Sequence, residues 1–362
     1  MSLLSEYASF SNGKKRPSLE GEYPVYGGNG ILGYSNDFNM ENGIIIGRVG
    51  AYCGSVFLEK GKCWVSDNAI KAESKDCNDL VYLYYLLKSL KLNERRIGTS
   101  QPLLTQGILG NIDVVLPDVQ NQRKIAKILE CIDNKILINS EINDNLLQQS
   151  LCIYSEMIGS SNKDGCIGDY CNIKSGFAFK SKWWQDSGVP VIKIGSINQD
   201  CLNLSDCSYV SEDKISLAND FIVGGGDLLI AMTGATIGKF AMVPKVSETI
   251  LVNQRVGKFF LGDNPISRLP FIYCTLKQPE VVSEVINRGQ GSAQPNISAA
   301  DIMSIPCVIP SAEVIDEFNK STSQMFELII NNQYENAVLA NTRDSILPKL
   351  MSGELDVSEL NL

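Results

Sequence analysis

Two stretches of this chain have a repeating apolar pattern and no helix breakers. From Val119 to Ile158 there is neither proline nor glycine, and apolar residues recur at three- and four-residue spacing through Ile125, Leu129, Ile132, Ile136 and Leu146. Ser311 to Leu347 shows the same pattern at Phe318, Met325, Ile329, Leu339 and Ile346. Each stretch opens on a proline followed by a residue suited to capping, Pro117-Asp118 and Pro310-Ser311. The spacing predicts two helices, each of roughly 40 residues and about 60 Å at 1.5 Å per residue. That exceeds the surface of one small domain, and so narrow an apolar stripe suits a two-stranded coiled coil. The helices are expected to pair with each other, antiparallel. Asn139, Asn143, Asn332 and Asn336 fall on the seam, where buried amides set register because a slipped pairing leaves them unsatisfied.

Outside the helices, short β-rich runs such as Gly43-Ile-Ile-Ile-Gly47 and Asp227-Leu-Leu-Ile-Ala231 alternate with glycine turns. Helix-like stretches follow at Asn78–Leu92 and Leu269–Arg288, and residues 160–165 read as a linker. The chain also repeats itself. At a shift of 193 residues, Gly98-Thr-Ser-Gln-Pro-Leu-Leu-Thr105 lies over Gly291-Ser-Ala-Gln-Pro-Asn-Ile-Ser298, and the helix asparagines superpose as 139 on 332 and 143 on 336. With gaps, Ile44-Ile-Ile-Gly-Arg-Val-Gly-Ala51 resembles Leu228-Leu-Ile-Ala-Met-Thr-Gly-Ala235, Gly54 meets Gly238, and Val65–Asn68 falls near Leu251–Gln254. The expected fold is α+β. Two mixed α/β globular units, residues 1–117 and 161–309, are joined by a central helix (118–160) and a C-terminal helix and tail (310–362), with an internal pseudo-two-fold repeat.

Composition narrows the chemistry. The 362 residues are 44% hydrophobic and 20% charged and contain no histidine, which excludes Ser-His-Asp triads, Cys-His dyads and His-ligated metals. No uncharged apolar run reaches the length of a membrane span, and the first residues lack the basic-then-apolar order of a signal peptide, so a cytoplasmic protein is expected. The 11 cysteines are scattered without a CxxC, which suits free thiols used as small buried hydrophobes rather than disulfides or a metal site. The Asn-x-Ser sequons at Asn203 and Asn296 are then chance matches. The net charge of −9 argues against a nucleic-acid partner until its distribution is considered: residues 311–362 carry 3 Lys+Arg against 9 Asp+Glu, leaving the globular units near neutral.

Gly28-Asn-Gly-Ile-Leu-Gly33 is a literal G-x-G-x-x-G, but no helical pattern follows it, as a dinucleotide fingerprint requires. Gly224-Gly-Gly-Asp227 precedes a strand and lacks the Gly-Lys-Ser/Thr of a P-loop, and no methyltransferase or nuclease motif stands out. The chain reads as a binder rather than a catalyst. Candidate DNA-binding residues lie in loops mixing basic, amide, aromatic and glycine residues. In the first unit they are Lys14, Lys15, Arg16, Tyr26, Asn29, Arg48, Tyr52, Asn68, Arg95 and Arg96. In the second they are Lys180, Lys182, Lys193, Ser196, Asn198, Thr233, Thr236, Lys239, Gln254, Arg255 and Arg288. Cations satisfy phosphates or read guanine, amides read adenine, and glycines permit close approach. Trp183-Trp184 reads as packing.

These residues resemble the specificity subunits of type I restriction-modification systems. Tyr23-Pro-Val-Tyr-Gly-Gly-Asn-Gly-Ile-Leu-Gly-Tyr34 is similar to a turn of the family's target recognition domain, and Gly289–Ser298 to the exit from one. Gln122-Arg-Lys-Ile-Ala-Lys-Ile-Leu-Glu130 resembles the start of the family's spacer helix, and Ile346-Leu-Pro-Lys-Leu-Met-Ser-Gly-Glu-Leu355 the end of the second. The second helix departs from the pattern by opening Ala312-Glu-Val-Ile-Asp-Glu-Phe318, and the usual lead-in before the first unit is nearly absent. The resemblance implies a non-catalytic subunit with no cofactor of its own, in which each recognition domain reads half of a bipartite, asymmetric site on double-stranded DNA. The helices would set the spacer, and their acidic, Asn-rich faces would dock two modification subunits that methylate adenine. S-adenosylmethionine, ATP and magnesium would belong to those modification subunits and to the restriction subunits. A coiled-coil adaptor with two protein-binding heads also accounts for the doubled architecture.

Overall fold

A computed structural model describes residues 2–18, 20–98, 102–159, 164–289 and 295–360. The segments 98–105 and 289–298, the linker 160–165 and the outermost ends of the expected domain boundaries therefore lie partly outside the described residues. The central helix spans Val119–Met157, 39 residues, and opens where the Asp118 carboxylate accepts from the Asn121 N–H at 2.9 Å. The C-terminal helix spans Ala312–Ser352, 41 residues. It continues through Pro348, five residues past the end the pattern predicts, because Leu347 and Leu350 are buried in a hydrophobic core. Packing there offsets the missing backbone donor.

The chain folds into two compact units, one of residues 1–135 with 339–362 and the other of residues 136–338, so each long helix contributes to both. In the first unit, strands run in the order Ala8–Asn12, Ala69–Ser74, Met40–Gly47, Val56–Val65, Tyr23–Gly27 and Gly30–Ser35. All neighbours are antiparallel except Tyr23–Gly27 against Val56–Val65. The G-x-G-x-x-G segment is the tip of a hairpin, with Gly27 opposite Gly30 and Gly30 at φ +95, a conformation that favours glycine. The helix Leu80–Ser89, capped by Asp79, packs with Ile44, Ile46 and Ile70 into a core that the long helices complete through Ile125, Leu129, Leu347 and Leu350. Polar ties accompany this packing. The buried Gln122 amide accepts from the Asp79 N–H and donates to Asn78 and the Pro117 carbonyl. Asp133 accepts from the Tyr85 hydroxyl and from Arg343, both at 2.6 Å.

The second unit has a four-stranded sheet ordered Asn172–Ser175, Val256–Phe260, Leu228–Ala231 and Phe240–Met242. A five-stranded sheet is ordered Trp184–Gln185, Ser208–Val210, Val189–Ile192, Ile250–Val252 and Ile222–Val223. The helix-like stretch from Leu269 is two helices, Leu269–Leu276 and Pro279–Gly289, with Pro279 at the first position of the second, where its missing N–H would have no helical partner in any case. Tyr154, Phe318, Phe326 and Ile329 of the long helices, and Ile158 just past the end of the central one, lie in this unit's core with Phe259 and Phe271. Asn319 accepts from the Phe271 N–H at 2.9 Å, a helix-start contact of the kind Gln122 makes in the first unit. The departure from the Gln pattern at the start of this helix thus leaves the contact in place. Within this unit the long helices touch antiparallel: Asn139 donates to Asn336 at 2.9 Å, Asn332 donates to Asn143 at 2.8 Å, and Ser150 meets Met325.

All 11 cysteines are free thiols. Five are buried, and burial pushes Cys63, Cys171 and Cys274 up to about 12, so these are inert. Cys77, Cys131, Cys152 and Cys201 are exposed, so the expectation of buried hydrophobes holds for part of the set.

The Asn143–Asn332 pair yields a test. Replacing either residue with leucine strands the other amide in the seam and should lower stability by about 1–3 kcal/mol. The double leucine variant should recover most of that loss. Thermal unfolding of the four proteins of this cycle measures it.

Candidate nucleic-acid interface

In the first unit, backbone hydrogen bonds gather the candidate loops into one cluster. The Lys14 N–H donates to the Val65 carbonyl, Ser66 to Tyr26, Arg48 to Asn68 and Gly47 to Ser55, at 2.8–3.0 Å. The Ser55 hydroxyl closes the set by donating to the Gly28 carbonyl. The second unit contains the same ties: Phe177 to Val252, Asn253 to Ile192 and Met232 to Arg255, at 2.8–3.0 Å. Ser66 therefore answers to Asn253 and Asn68 to Arg255, one residue beyond the sequence pairing. The local correspondence also sets Pro24-Val25-Tyr26 against Pro190-Val191-Ile192, in the two places where strands pair parallel.

A glycine-bounded loop projects from each cluster. Gly50 and Gly54 stand at φ +74 and +94, and Gly234 and Gly238 at +74 and +79, a left-handed region costly for other residues. Matching bonds close the two loops, Gly54 to Gly47 and Gly238 to Ala231 across the base, and Cys53 to Gly50 and Ile237 to Gly234 within. Segments near the helix starts hold them from the side, with Gly50 donating to Pro102 and Gly234 to Pro295.

The structure sorts the candidates. Lys14, Lys15, Arg16, Asn29, Tyr52, Asn68, Arg95 and Arg96 are exposed, as are Lys180, Lys182, Asn198, Gln254 and Arg255. Arg48, Lys193, Thr233, Thr236 and Lys239 are half-buried. The Arg48 Nε and Thr233 Oγ1 are buried without a hydrogen-bond partner, as is the Ser66 hydroxyl, which pattern reasoning missed because a lone serine carries no signal. Three candidates are buried or already bonded within the unit. Tyr26 is only 7% exposed, packs on Phe57 and donates its hydroxyl to Glu59; burial, then that carboxylate, push its pKa upward. Ser196 is fully buried. Arg288 is spent on Glu284, the Asp301 carbonyl and Ser304, tying helix to loop.

Trp183 stacks on Phe177 and Trp184 packs on Phe179, as the packing reading expects. Trp184 has a second contact, since the Lys193 ammonium sits 3.7 Å from its ring centroid. Partial burial lowers the Lys193 pKa, and the ring's negative face opposes that cost. The neighbouring hairpin, Ile197-Asn198 with Cys201-Leu202, turns through Asp200 at φ +63. Asp200 is held there by the Tyr273 hydroxyl and the Lys277 ammonium, which fixes where Asn198 is presented.

A model of the type I restriction modification DNA specificity domain matches this chain twice, over residues 8–148 and 160–338. The chain belongs to the specificity subunits of type I restriction-modification systems. Each match takes in one globular unit and continues into the long helix that follows it. The specificity subunit of the HindI type I enzyme of Haemophilus influenzae is 32% identical over 341 residues, 72% of this chain and 73% of that protein. That of the MjaVIII enzyme of Methanocaldococcus jannaschii is 26% identical over 345 residues, 89% of this chain and 81% of its own. The crystal structure of a type I S subunit from M. genitalium shares the fold, with a TM-score of 0.61 at 19% identity, covering 96% of this chain and 95% of that one.

As a specificity subunit, the protein is the non-catalytic, DNA-sequence-recognising component of its system, and the loops above are its candidate reading surface. No helix among the described residues is long and apolar enough to cross a membrane. The loop clusters depend on close backbone approach at two glycines. A Cβ on Gly13 would sit 1.9 Å from the Ser66 carbonyl oxygen, and one on Gly176 would sit 2.4 Å from that of Asn253. Gly176→Ala should destabilise the protein by about 1–3 kcal/mol, as overpacking does. It should also weaken DNA binding in proportion to the loop displacement, measured by thermal unfolding alongside a binding titration.

Proposed function

We propose that the two units of this specificity subunit each read one half of a bipartite, asymmetric site on double-stranded DNA. The observation that carries this reading is the loop cluster built twice, with the same hydrogen bonds and glycine-bounded projection but different side chains. A common frame with different reading residues is what two unlike half-sites require. The exposed cations on these loops supply the sequence-independent attraction to phosphate, and the amides and hydroxyls supply discrimination.

The paired helices act as a ruler for the untouched spacer, and domains 1–117 and 161–309 are the two copies of an internal pseudo-two-fold repeat. Asn139, Asn143, Asn332 and Asn336 hold the register of that coiled coil. Because Asn139, Asn143 and Asn332 are buried in the seam, the docking surface for two modification subunits rests on other groups of the helices. Leu137, Ile138, Ile142, Leu328, Tyr334 and Val338 are exposed there and offer apolar area to a partner. The modification subunits methylate adenine with S-adenosylmethionine, and restriction subunits join them with ATP and magnesium. The specificity subunit carries no cofactor, and the assembly works in the cytoplasm.

Mapping methylated adenines in cells with and without this chain, alongside its modification subunits, tests the reading. One split, asymmetric motif that disappears with the chain is the expected result. No change in methylation while the modification subunits remain active with another specificity subunit would instead favour a protein-binding adaptor. DNA binding by the complex should also fall steeply with salt through counterion release. Removing one heptad from each long helix should shorten the spacer and leave both half-site sequences intact; altered half-site sequences would refute the ruler.

A further inference from the structure

The two projecting loops share a frame but differ in surface chemistry. In the first unit, Val49 is 37% exposed, Tyr52 55% and Ile97 54%, unusual exposure for three large apolar side chains in one place. Val49 and Ile97 flank one residue, since Leu103 forms a bridge with Val49 on one side and with Ile97 on the other, the latter through two bonds of 2.9 Å, and Tyr52 follows Val49 three residues on in the loop. The loop is stiff at its base, where Cys53 is buried and a Cβ on Gly54 would collide with Asn93. Around its tip the space is open, with nothing within 4 Å of a Cβ on Gly50. Cations border the cluster, the half-buried Arg48 just ahead of the loop and the exposed Arg95 and Arg96 beside Ile97.

At two of the corresponding places the second unit has threonines instead of these apolar groups. Thr233 stands for Val49, bridged to Asn296 as Val49 is to Leu103, and Thr236 stands for Tyr52. The 193-residue shift sets Ile97 against Gln290, which lies outside the described residues.

Resting on the reading that each unit binds half of a DNA site, we propose that Val49, Tyr52 and Ile97 form an apolar wedge. It enters between base pairs of the first unit's half-site and partly unstacks one step, while the second unit reads its half-site through hydroxyls without such insertion. Solvated apolar groups on a rigid loop with cations beside them match a duplex opened at one step. The bases cover the hydrophobic surface, and the phosphates on either side meet the arginines. Specificity at that half-site then includes a preference for a base step that unstacks easily, such as a pyrimidine–purine step.

The test uses the complex of this chain with its modification subunits and a duplex carrying the methylation-mapped target. 2-Aminopurine replaces, one at a time, purines other than the methylated adenines. The fluorescence should rise on binding at one step of one half-site and at none of the other. Tyr52→Ala should abolish the rise and weaken binding about tenfold, the scale of one base-stacking contact, with the salt slope unchanged because no phosphate contact is lost. Tyr52→Phe should retain both signal and affinity, and Thr236→Ala should leave the signal in place. Because Tyr52 is exposed, the alanine variant should melt as the parent does. Unaltered fluorescence and affinity in Tyr52→Ala, in a complex that still methylates its target, would refute the wedge and leave the two-half-site reading standing. A complex that methylates no split target would remove both.

Discussion

Neither globular core of this protein is complete without the two long helices. Ile125 and Leu129 at the start of the central helix and Leu347 and Leu350 at the end of the C-terminal helix close the first core. Tyr154 from one, with Ile158 just past its end, and Phe318, Phe326 and Ile329 from the other, close the second. Burying a large apolar side chain contributes about 1.5–3 kcal/mol, so these residues couple the folding of each unit to that of the helices. Buried amides add direction to the coupling. Gln122 and Asn319 bond the first backbone N–H groups of the globular helices, and Asp133 joins Tyr85 to Arg343. Between these ends the helices meet through Asn139 and Asn143 on one side and Asn332 and Asn336 on the other, where a sliding apolar contact would be indifferent to register.

On that scaffold the candidate reading surface consists of loops tied by backbone hydrogen bonds within each unit. The ties from Lys14 to Val65 and from Phe177 to Val252, with the close approaches at Gly13 and Gly176, leave the side chains as the variable part. Recognition surfaces gain from such an arrangement because little backbone order remains to be imposed on binding. It also explains how one frame carries apolar groups in one unit and hydroxyls in the other. The Arg48 Nε and the Ser66 and Thr233 hydroxyls, buried without partners, lie within these same clusters. Unsatisfied polar groups are costly in a structure that gains nothing from them.

Much of this was legible in the chain. Both long helices follow from unbroken apolar spacing and from prolines at their starts, and the doubled order of motifs points to two similar units. The glycine pairs 50/54 and 234/238 were visible as a repeated spacing before their left-handed backbones gave a reason for it. Local rules lost where burial competes with them. Pro348 suggests an end to the C-terminal helix, but Leu350 lies beyond it in the core and draws the helix on. Tyr26, Ser196 and Arg288 look like surface readers by residue type, and each is spent on the interior or on a neighbouring element.

The sequence by itself determined the periodic elements, the repeat and the residue types available for contact, because these depend on neighbours three, four or 193 positions away. The tertiary structure decided which side chains face solvent, which glycines must yield to a carbonyl, and that Ser66 rather than Asp67 answers to Asn253. It also set Val49 and Ile97 on either side of Leu103, with both side chains and that of Tyr52 left in solvent. Those outcomes depend on hydrogen bonds between strands far apart in the chain, whose partners no local pattern encodes.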